Sequence, residues 1–204
     1  PLQRAKEIRD FLMTDESAKF AGFINEERLV RTFTDLLRVN SPSFGERELG
    51  DLLRARLEEA GCTVRFQDYG ESFNLIALRK GRDGGRPVLM LSGHMDTVEP
   101  TEGIVFSDRD GMIMTTGKTV LGADDKSALA QIIEALTVLG ERDVPHGDIE
   151  IVFTSAEEKA LVGAKNLDFL LGALKFAPDE ESARAVEARI WAIWMTTPSD
   201  TAAL

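Results

Sequence analysis

Apolar side chains recur at a helical period in two consecutive segments near the beginning of the chain. Asn25 has the character of an N-cap, because acids occupy the turn that follows it, and residues 39–42 end this first segment. Ser43 and Glu46 form a Ser-x-x-Glu pattern, which predicts a capping box for a second helix. Gly61 is positioned to end that helix. The apolar stripes of the two helices are Leu29, Phe33, Leu36 and Leu37, then Leu49, Leu52, Leu53 and Leu57.

Short apolar runs follow, and one further helical segment interrupts them. The predicted strands are residues 62–66, 74–78, 87–92 and 148–154, with a hairpin over residues 106–114 that turns at Asp110-Gly111. The continuous apolar runs at 87–92 and 148–154 are typical of buried strands. Residues 124–139 predict a helix with Ala128, Ile132, Leu136 and Leu139 on one face, and a helical pattern resumes at Ala164. Helices alternating with apolar strands predict an α/β layered domain.

Composition narrows the partners and the compartment. The chain has 204 residues, of which 43% are hydrophobic, enough to bury the core of one domain. Its formal net charge of -11 argues against nucleic acid and against an anionic membrane surface as partners. Cys62 is the single cysteine, which excludes an internal disulfide. The first residues lack the apolar region of a signal peptide, and we therefore expect a cytoplasmic protein.

Three polar clusters lie at the ends of predicted strands or in the loops after them, where open α/β sheets bind ligands. His94 and Asp96 follow the strand at 87–92, and Glu157 and Glu158 follow the strand at 148–154. Asp124 and Asp125 lie at the start of the third helix. Imidazole and carboxylate groups without a thiolate suit Zn²⁺, Mn²⁺ or Co²⁺ at a hydrolytic centre.

Each cluster also has an ordinary reading when it is taken alone. A histidine at a strand end is often a satisfied core residue, two acids at a helix start are often N-caps, and two glutamates after a strand are usually solvated. Three independent accidents that together supply His94, Asp124 and Glu158 are less probable than one site. The sequence therefore predicts that these side chains converge on a metal ion.

Three sequence stretches carry a resemblance to a known family. They are Gly-His-Met-Asp-Thr-Val at 93–98, Gly-Ala-Asp-Asp-Lys-Ser-Ala-Leu-Ala at 122–130 and Ala-Glu-Glu-Lys-Ala-Leu-Val-Gly-Ala-Lys-Asn-Leu-Asp at 156–168. Their order and spacing resemble the M20 metallopeptidases, in particular the peptidase T-like branch of tripeptide aminopeptidases. The resemblance covers residues 25–176, which would form part of the catalytic domain. Residues 1–24 would be a preface and residues 177–204 a divergent tail.

The resemblance implies a fold and a role for each matching residue. It implies a three-layer α/β/α zinc-exopeptidase-like domain with a mixed sheet. His94 would bind one metal with Asp96 orienting it, and Asp124 would bridge two metals. Glu157 would be the general base, and Glu158 would bind the second metal. Asp125 and Lys126 match the motif in supporting positions. The implied cofactor is Zn²⁺, two ions in a complete site, with Mn²⁺ or Co²⁺ as alternatives, and the implied substrate is a short peptide.

The chain departs from the family pattern in ways that imply truncation. The family uses a further carboxylate ligand and a late histidine, whereas the sequence contains only His94 and His146, and His146 is expected to face solvent. The inserted dimerisation domain has no counterpart here. Apolar surface left uncovered by the missing part predicts self-association. Two alternatives to a peptidase remain open: a non-catalytic remnant that binds one metal weakly or none, and an N-acyl amino acid deacylase.

Overall fold

The computed structural model describes residues 22–82, 85–159 and 162–165. The chain divides into two compact units, Pro1–Gly163 and Ala164–Leu204. The predictions for most of the preface and for the tail at 177–204 lie outside the described residues. Within the described ranges, none of the helices has the length and apolarity needed to cross a membrane.

The first two helices form where the apolar stripes predict them. Helix α1 spans Glu26–Arg38, and the Asn25 side chain caps it by accepting from the backbone N–H of Arg28. Helix α2 spans Arg47–Glu59. It ends at Glu59, and Gly61 two residues later has a φ of 80°, the left-handed conformation expected of a glycine that terminates a helix.

The predicted capping box of α2 is wrong. Glu46 is the N-terminal boundary residue, and no side chain caps the helix there. The Ser43 hydroxyl donates to Asp96 instead, and Glu46 is 1% exposed and turns inward. Both polar side chains of the pattern make long-range tertiary hydrogen bonds, which outcompete the local cap.

Four strands form one mixed sheet. They are β1 Thr63–Tyr69, β2 Ser72–Arg79, β3 Leu89–His94 and, further along the chain, β6 Ile149–Thr154. Their order is β1-β2-β6-β3. The pairs β1–β2 and β2–β6 are antiparallel, and β3–β6 is parallel with His94 opposite Thr154. The predicted hairpin is also present, as β4 Phe106–Arg109 and β5 Met112–Thr115.

One apolar core joins α2, the third helix α3 (Ala123–Glu141) and one face of the sheet. Leu53, Leu75, Leu129 and Phe153 are completely buried in it. Ile76 and Val152 point to the opposite face and are buried too, so β2 and β6 are covered on both sides as a layered α/β domain requires. This arrangement confirms the mixed α/β fold.

The prediction that the run at 87–92 is a buried strand is wrong. Strand β3 lies at one end of the four-stranded sheet, and Leu89 at its beginning is 49% exposed. An apolar run reports the hydrophobicity of a strand but not its position in the sheet order. The run at 148–154 lies between β2 and β3, and it is buried as predicted. A short helix α4, Val162–Lys165, begins near the predicted restart of helix.

Candidate metal centre

His94 is the last residue of β3, and its ring lies near Asp96 of its own loop, Asp124 at the start of α3 and Glu157 of the loop after β6. The imidazole is 11% exposed. Its Nδ1 lies 2.9 Å from the backbone oxygen of Asp96, and its Nε2 lies 3.2 Å from Asp124 Oδ1. The Nδ1 contact fixes the ring orientation, which leaves Nε2 as the nitrogen available to a ligand.

Asp96 is completely buried and connects the His94 loop to the loop of the two glutamates. Its oxygens accept from the backbone N–H groups of Glu157 at 2.8 Å and Glu158 at 3.0 Å, and from the Ser43 hydroxyl at 2.7 Å. Burial alone would raise the pKa of Asp96, but these hydrogen bonds and the one with His94 hold it below its usual value. Asp96 is therefore a carboxylate that organises the site from beneath.

The two acids at the start of α3 have different partners. Asp125 accepts from the backbone N–H of Ala128, as an N-cap does, and from the N–H of His94. Asp124 has extended backbone angles, φ -84° and ψ 109°, so the regular helix begins only after it. Its side chain is 87% exposed and touches His94 Nε2. The capping role belongs to Asp125, which leaves the Asp124 carboxylate directed at the imidazole.

Glu157 and Glu158 occupy the loop after β6, next to the end of β3. Because β3 and β6 are parallel neighbours, their carboxyl ends bring this loop to His94. Glu157 Oε2 lies 3.9 Å from His94 Nε2. His94, Glu157 and Glu158 each offer one ligand atom, and all three atoms lie within 4.8 Å of one another.

This donor set fits a divalent cation. Nitrogen and oxygen ligands about 2.0–2.2 Å from Zn²⁺ are separated from each other by about 3–4 Å, which covers the distances from His94 Nε2 to Asp124 and to Glu157. Asp124 lies against His94 but outside the group of three. Glu157 is as near as a ligand would be, although the resemblance implies a base.

The electrostatics of the cluster also favour a cation. Burial lowers the pKa of His94, but the hydrogen bond with Asp96 and the charges of Asp125, Asp96 and Glu157 outweigh it and raise that pKa to about 9. Burial raises the pKa of Glu158, and the neighbouring carboxylates of Glu157, Asp124 and Asp96 add to the rise against the opposing effect of His94. The carboxylates outnumber the single imidazole, and a bound cation relieves their mutual repulsion.

Sequence reasoning missed the residues that hold the glutamate loop. Glu46 accepts from the backbone N–H of Ala156, and Ser155 hydrogen-bonds with Tyr69 and Ser72 through its hydroxyl. The Ser-x-x-Glu pattern singled out Glu46 in the sequence, but the same pattern is also that of a capping box, which was the role predicted. His146 is half-buried rather than solvent-facing. It contacts Arg79 and the Gly147 carbonyl and is not part of the group.

Comparison with known proteins gives relatives at the level of sequence and of structure. The chain is 53% identical over 157 residues to peptidase T of Escherichia coli strain SE11, covering 61% of this chain and 38% of that protein. It is 37% identical over 150 residues to the uncharacterized protein YqjE of Bacillus subtilis, and the match covers 71% of this chain and 40% of YqjE. The crystal structure of aminopeptidase PepT from Bacillus cereus superposes with a TM-score of 0.69 at 41% identity, and the match covers 72% of this chain and 40% of PepT.

The chain thus spans about 40% of the length of the relatives that it matches. Peptidase family M28 matches residues 74–186, which include all three motifs. That match extends over more than half of the 204 residues. The chain therefore belongs to peptidase family M28.

Proposed function

We propose that this chain is part of a metal-dependent aminopeptidase that acts on short peptides. Its family match is to M28, and its three motifs and its peptidase T relatives resemble the peptidase T-like branch of the M20 metallopeptidases. One observation carries the proposal: His94, Glu157 and Glu158 present ligand atoms within 4.8 Å of one another, with Asp124 against the imidazole. The names of the E. coli and B. cereus relatives support peptide substrates over N-acyl amino acids.

In this proposal each residue has one task. His94, Asp124 and Glu158 would hold the divalent cations of the centre, two in a complete site, with Zn²⁺ in preference to Mn²⁺ or Co²⁺. The cation supplies Lewis-acid polarisation of the scissile carbonyl. Asp96 fixes the position of the His94 imidazole relative to the loop that carries Glu157 and Glu158. Glu157 takes a proton from the attacking water and returns it to the leaving amine as the C–N bond breaks.

The test measures peptide hydrolysis with and without metal. The purified chain is treated with a chelator, reloaded with Zn²⁺, and incubated with a tripeptide and with an N-acetyl amino acid. Release of the N-terminal residue that disappears with the chelator and returns with Zn²⁺ supports the proposal. Cleavage of the acyl compound alone would favour the deacylase. Metal binding without turnover would favour the remnant, since the chain spans 40% of its relatives.

The buried free thiol of Cys62 suits a reducing compartment, and we place the protein in the cytoplasm. Because the chain carries a net negative charge, we propose neither nucleic acid nor an anionic membrane surface as a partner.

A further inference from the structure

The loop that carries Glu157 and Glu158 contains a residue with an unusual backbone conformation just before them. Ala156 has a φ of 50°, in the left-handed region that residues with a Cβ seldom adopt, and its side chain is fully buried. Such a conformation persists only where the surroundings determine it. The direction in which the two glutamates leave β6 depends on what holds Ala156.

The backbone N–H of Ala156 is bound by a buried carboxylate, and its carbonyl accepts from the N–H of Val162 at 3.1 Å. Glu46 Oε1 accepts the backbone N–H of Ala156 at 2.8 Å, and the same oxygen accepts the N–H of Phe44 at 3.0 Å. Phe44 has a φ of 72°. Glu46 therefore connects two loops, each through a residue with a left-handed backbone conformation. Glu46 Oε2 lies 3.5 Å from the Ser72 hydroxyl, which in turn contacts Ser155.

Two carboxylates together bind three successive backbone N–H groups of this loop. Glu46 takes that of Ala156, and Asp96 takes those of Glu157 and Glu158. Ser43, which lies next to Phe44 in the chain, donates to Asp96 and ties the acceptors to the same segment. The segment 43–46 is therefore a clamp on the backbone that presents the glutamates.

We propose that Glu46 is a positioning residue of the metal centre, which sets the placement of Glu157 and Glu158 by accepting the Ala156 and Phe44 N–H groups through one oxygen. The inference rests on the proposed metal centre but makes a separate claim. This claim concerns the position of the acceptor oxygen and not its charge. The acceptor must lie as far from the backbone of residue 46 as the Oε1 atom of a glutamate does. Glutamine retains that acceptor, whereas aspartate retains the charge and falls short by one methylene.

The experiment compares Glu46→Gln, Glu46→Asp and Glu46→Met with a matched control, Glu134→Met. Glu134 is also a buried glutamate, 4% exposed, but it pairs with Arg28 on α1 at 2.6 Å and lies outside the hydrogen bonds that hold the glutamate loop. The readouts are the affinity for Co²⁺, the visible absorption spectrum of bound Co²⁺, and the hydrogen exchange of the amides of residues 156–158. The unfolding free energy is measured for every variant.

The proposal expects Glu46→Gln to keep the Co²⁺ spectrum and affinity. Glu46→Asp and Glu46→Met should lose about 10- to 100-fold in affinity, the usual cost of removing a residue that supports ligands. Both should change the spectrum and speed up exchange at residues 156–158. Glu134→Met should lower stability and leave the spectrum unchanged.

Where wild type binds Co²⁺, either of two results would overturn the proposal. One is a Glu46→Asp variant that behaves as wild type while Glu46→Gln fails, since charge would then matter and acceptor position would not. The other is a Glu134→Met variant that shifts the spectrum as much as the Glu46 variants. If wild type binds no Co²⁺, the metal centre fails. The exchange of residues 156–158 then decides on Glu46 alone, and unchanged exchange in Glu46→Asp refutes the clamp.

Discussion

At the scale of the residue, neighbouring acids with the same side chain do different work because their hydrogen-bond partners differ. Asp96 accepts two backbone N–H groups and a hydroxyl from below the site, and Asp125 caps α3. Asp124 is left with His94 as its partner and with an exposed carboxylate. The sequence predicts that these acids share one region, but their separate tasks follow only from the tertiary contacts.

Asp124→Ala should abolish tight Zn²⁺ binding and leave folding nearly unchanged. The side chain is 87% exposed, so its removal creates no cavity and no buried unpaired group. Titration calorimetry with Zn²⁺ and thermal unfolding measure the two effects, and Asp108→Ala is the control for an exposed acid elsewhere. Wild-type Zn²⁺ affinity in Asp124→Ala would show that this carboxylate is not a ligand.

Glu157→Gln should keep the metal and lose hydrolysis. An amide of the same shape cannot take the proton of the attacking water, and loss of a general base costs typically about 10²–10⁴-fold in rate. Metal content and kcat on a tripeptide are measured on the same preparation. Retained turnover would refute the role as base. Loss of the metal together with turnover would identify Glu157 as a ligand, as its 3.9 Å distance from His94 Nε2 allows.

At the scale of the element, the helical repeat of apolar residues and the residues that cap helix ends are the dependable signals of secondary structure. The stripes of α1 and α2, the Asn25 cap and the Gly61 terminus are local patterns, and the structure confirms them. The failures have non-local causes. Ser43 and Glu46 match the capping-box pattern, but their side chains hydrogen-bond with residues of other loops. Strand β3 has an apolar sequence but lies at the end of the sheet. Strand order depends on contacts far apart in sequence, which a single segment cannot report.

Lys126 on α3 should make stability depend on pH. It is 1% exposed and donates to the Val39 carbonyl at 2.6 Å, and burial lowers its pKa from 10.5 to about 8. Between those two values the unfolded chain binds more protons than the folded chain, so stability should rise with pH from about 8 to 10.5. Each tenfold difference in proton affinity between the folded and unfolded chain contributes up to about 1.4 kcal/mol to this gain.

The comparison that isolates this effect is wild type against Lys126→Met, by urea unfolding from pH 7 to 10.5. Groups common to both proteins cancel in the difference. The unfolding free energy of wild type should rise relative to that of the variant across this interval. A constant difference would mean that the amine titrates at its ordinary pKa and is not desolvated.

At the scale of the whole molecule, the parallel pairing of β3 with β6 assembles the site. Residues 94 and 157 are far apart in sequence, but the two strands end side by side. The alternation of helices and strands was enough to predict that their carboxyl ends share an edge. The clamp at Glu46 was not predictable in this way, because it depends on how α2 packs against the sheet.

The exposed end of β3 leads us to expect self-association, in line with the apolar surface expected from the sequence. An apolar edge strand offers backbone groups and side chains to a second copy. Leu89 is 49% exposed there, and Leu89→Lys should therefore reduce association. Sedimentation velocity at several protein concentrations measures it, with Met112→Lys on the hairpin as the control. A monomer at all concentrations in wild type would contradict the expectation.

The central claim is that His94, Asp124 and Glu158 together form one centre for divalent cations, with Glu157 beside it. Anomalous diffraction at the zinc edge, from crystals grown with Zn²⁺, tests it most directly. The account predicts a peak within about 2.2 Å of His94 Nε2 and of a carboxylate oxygen from Asp124 or Glu158. A crystal whose only zinc peaks lie elsewhere, with these side chains turned away from one another, would contradict it.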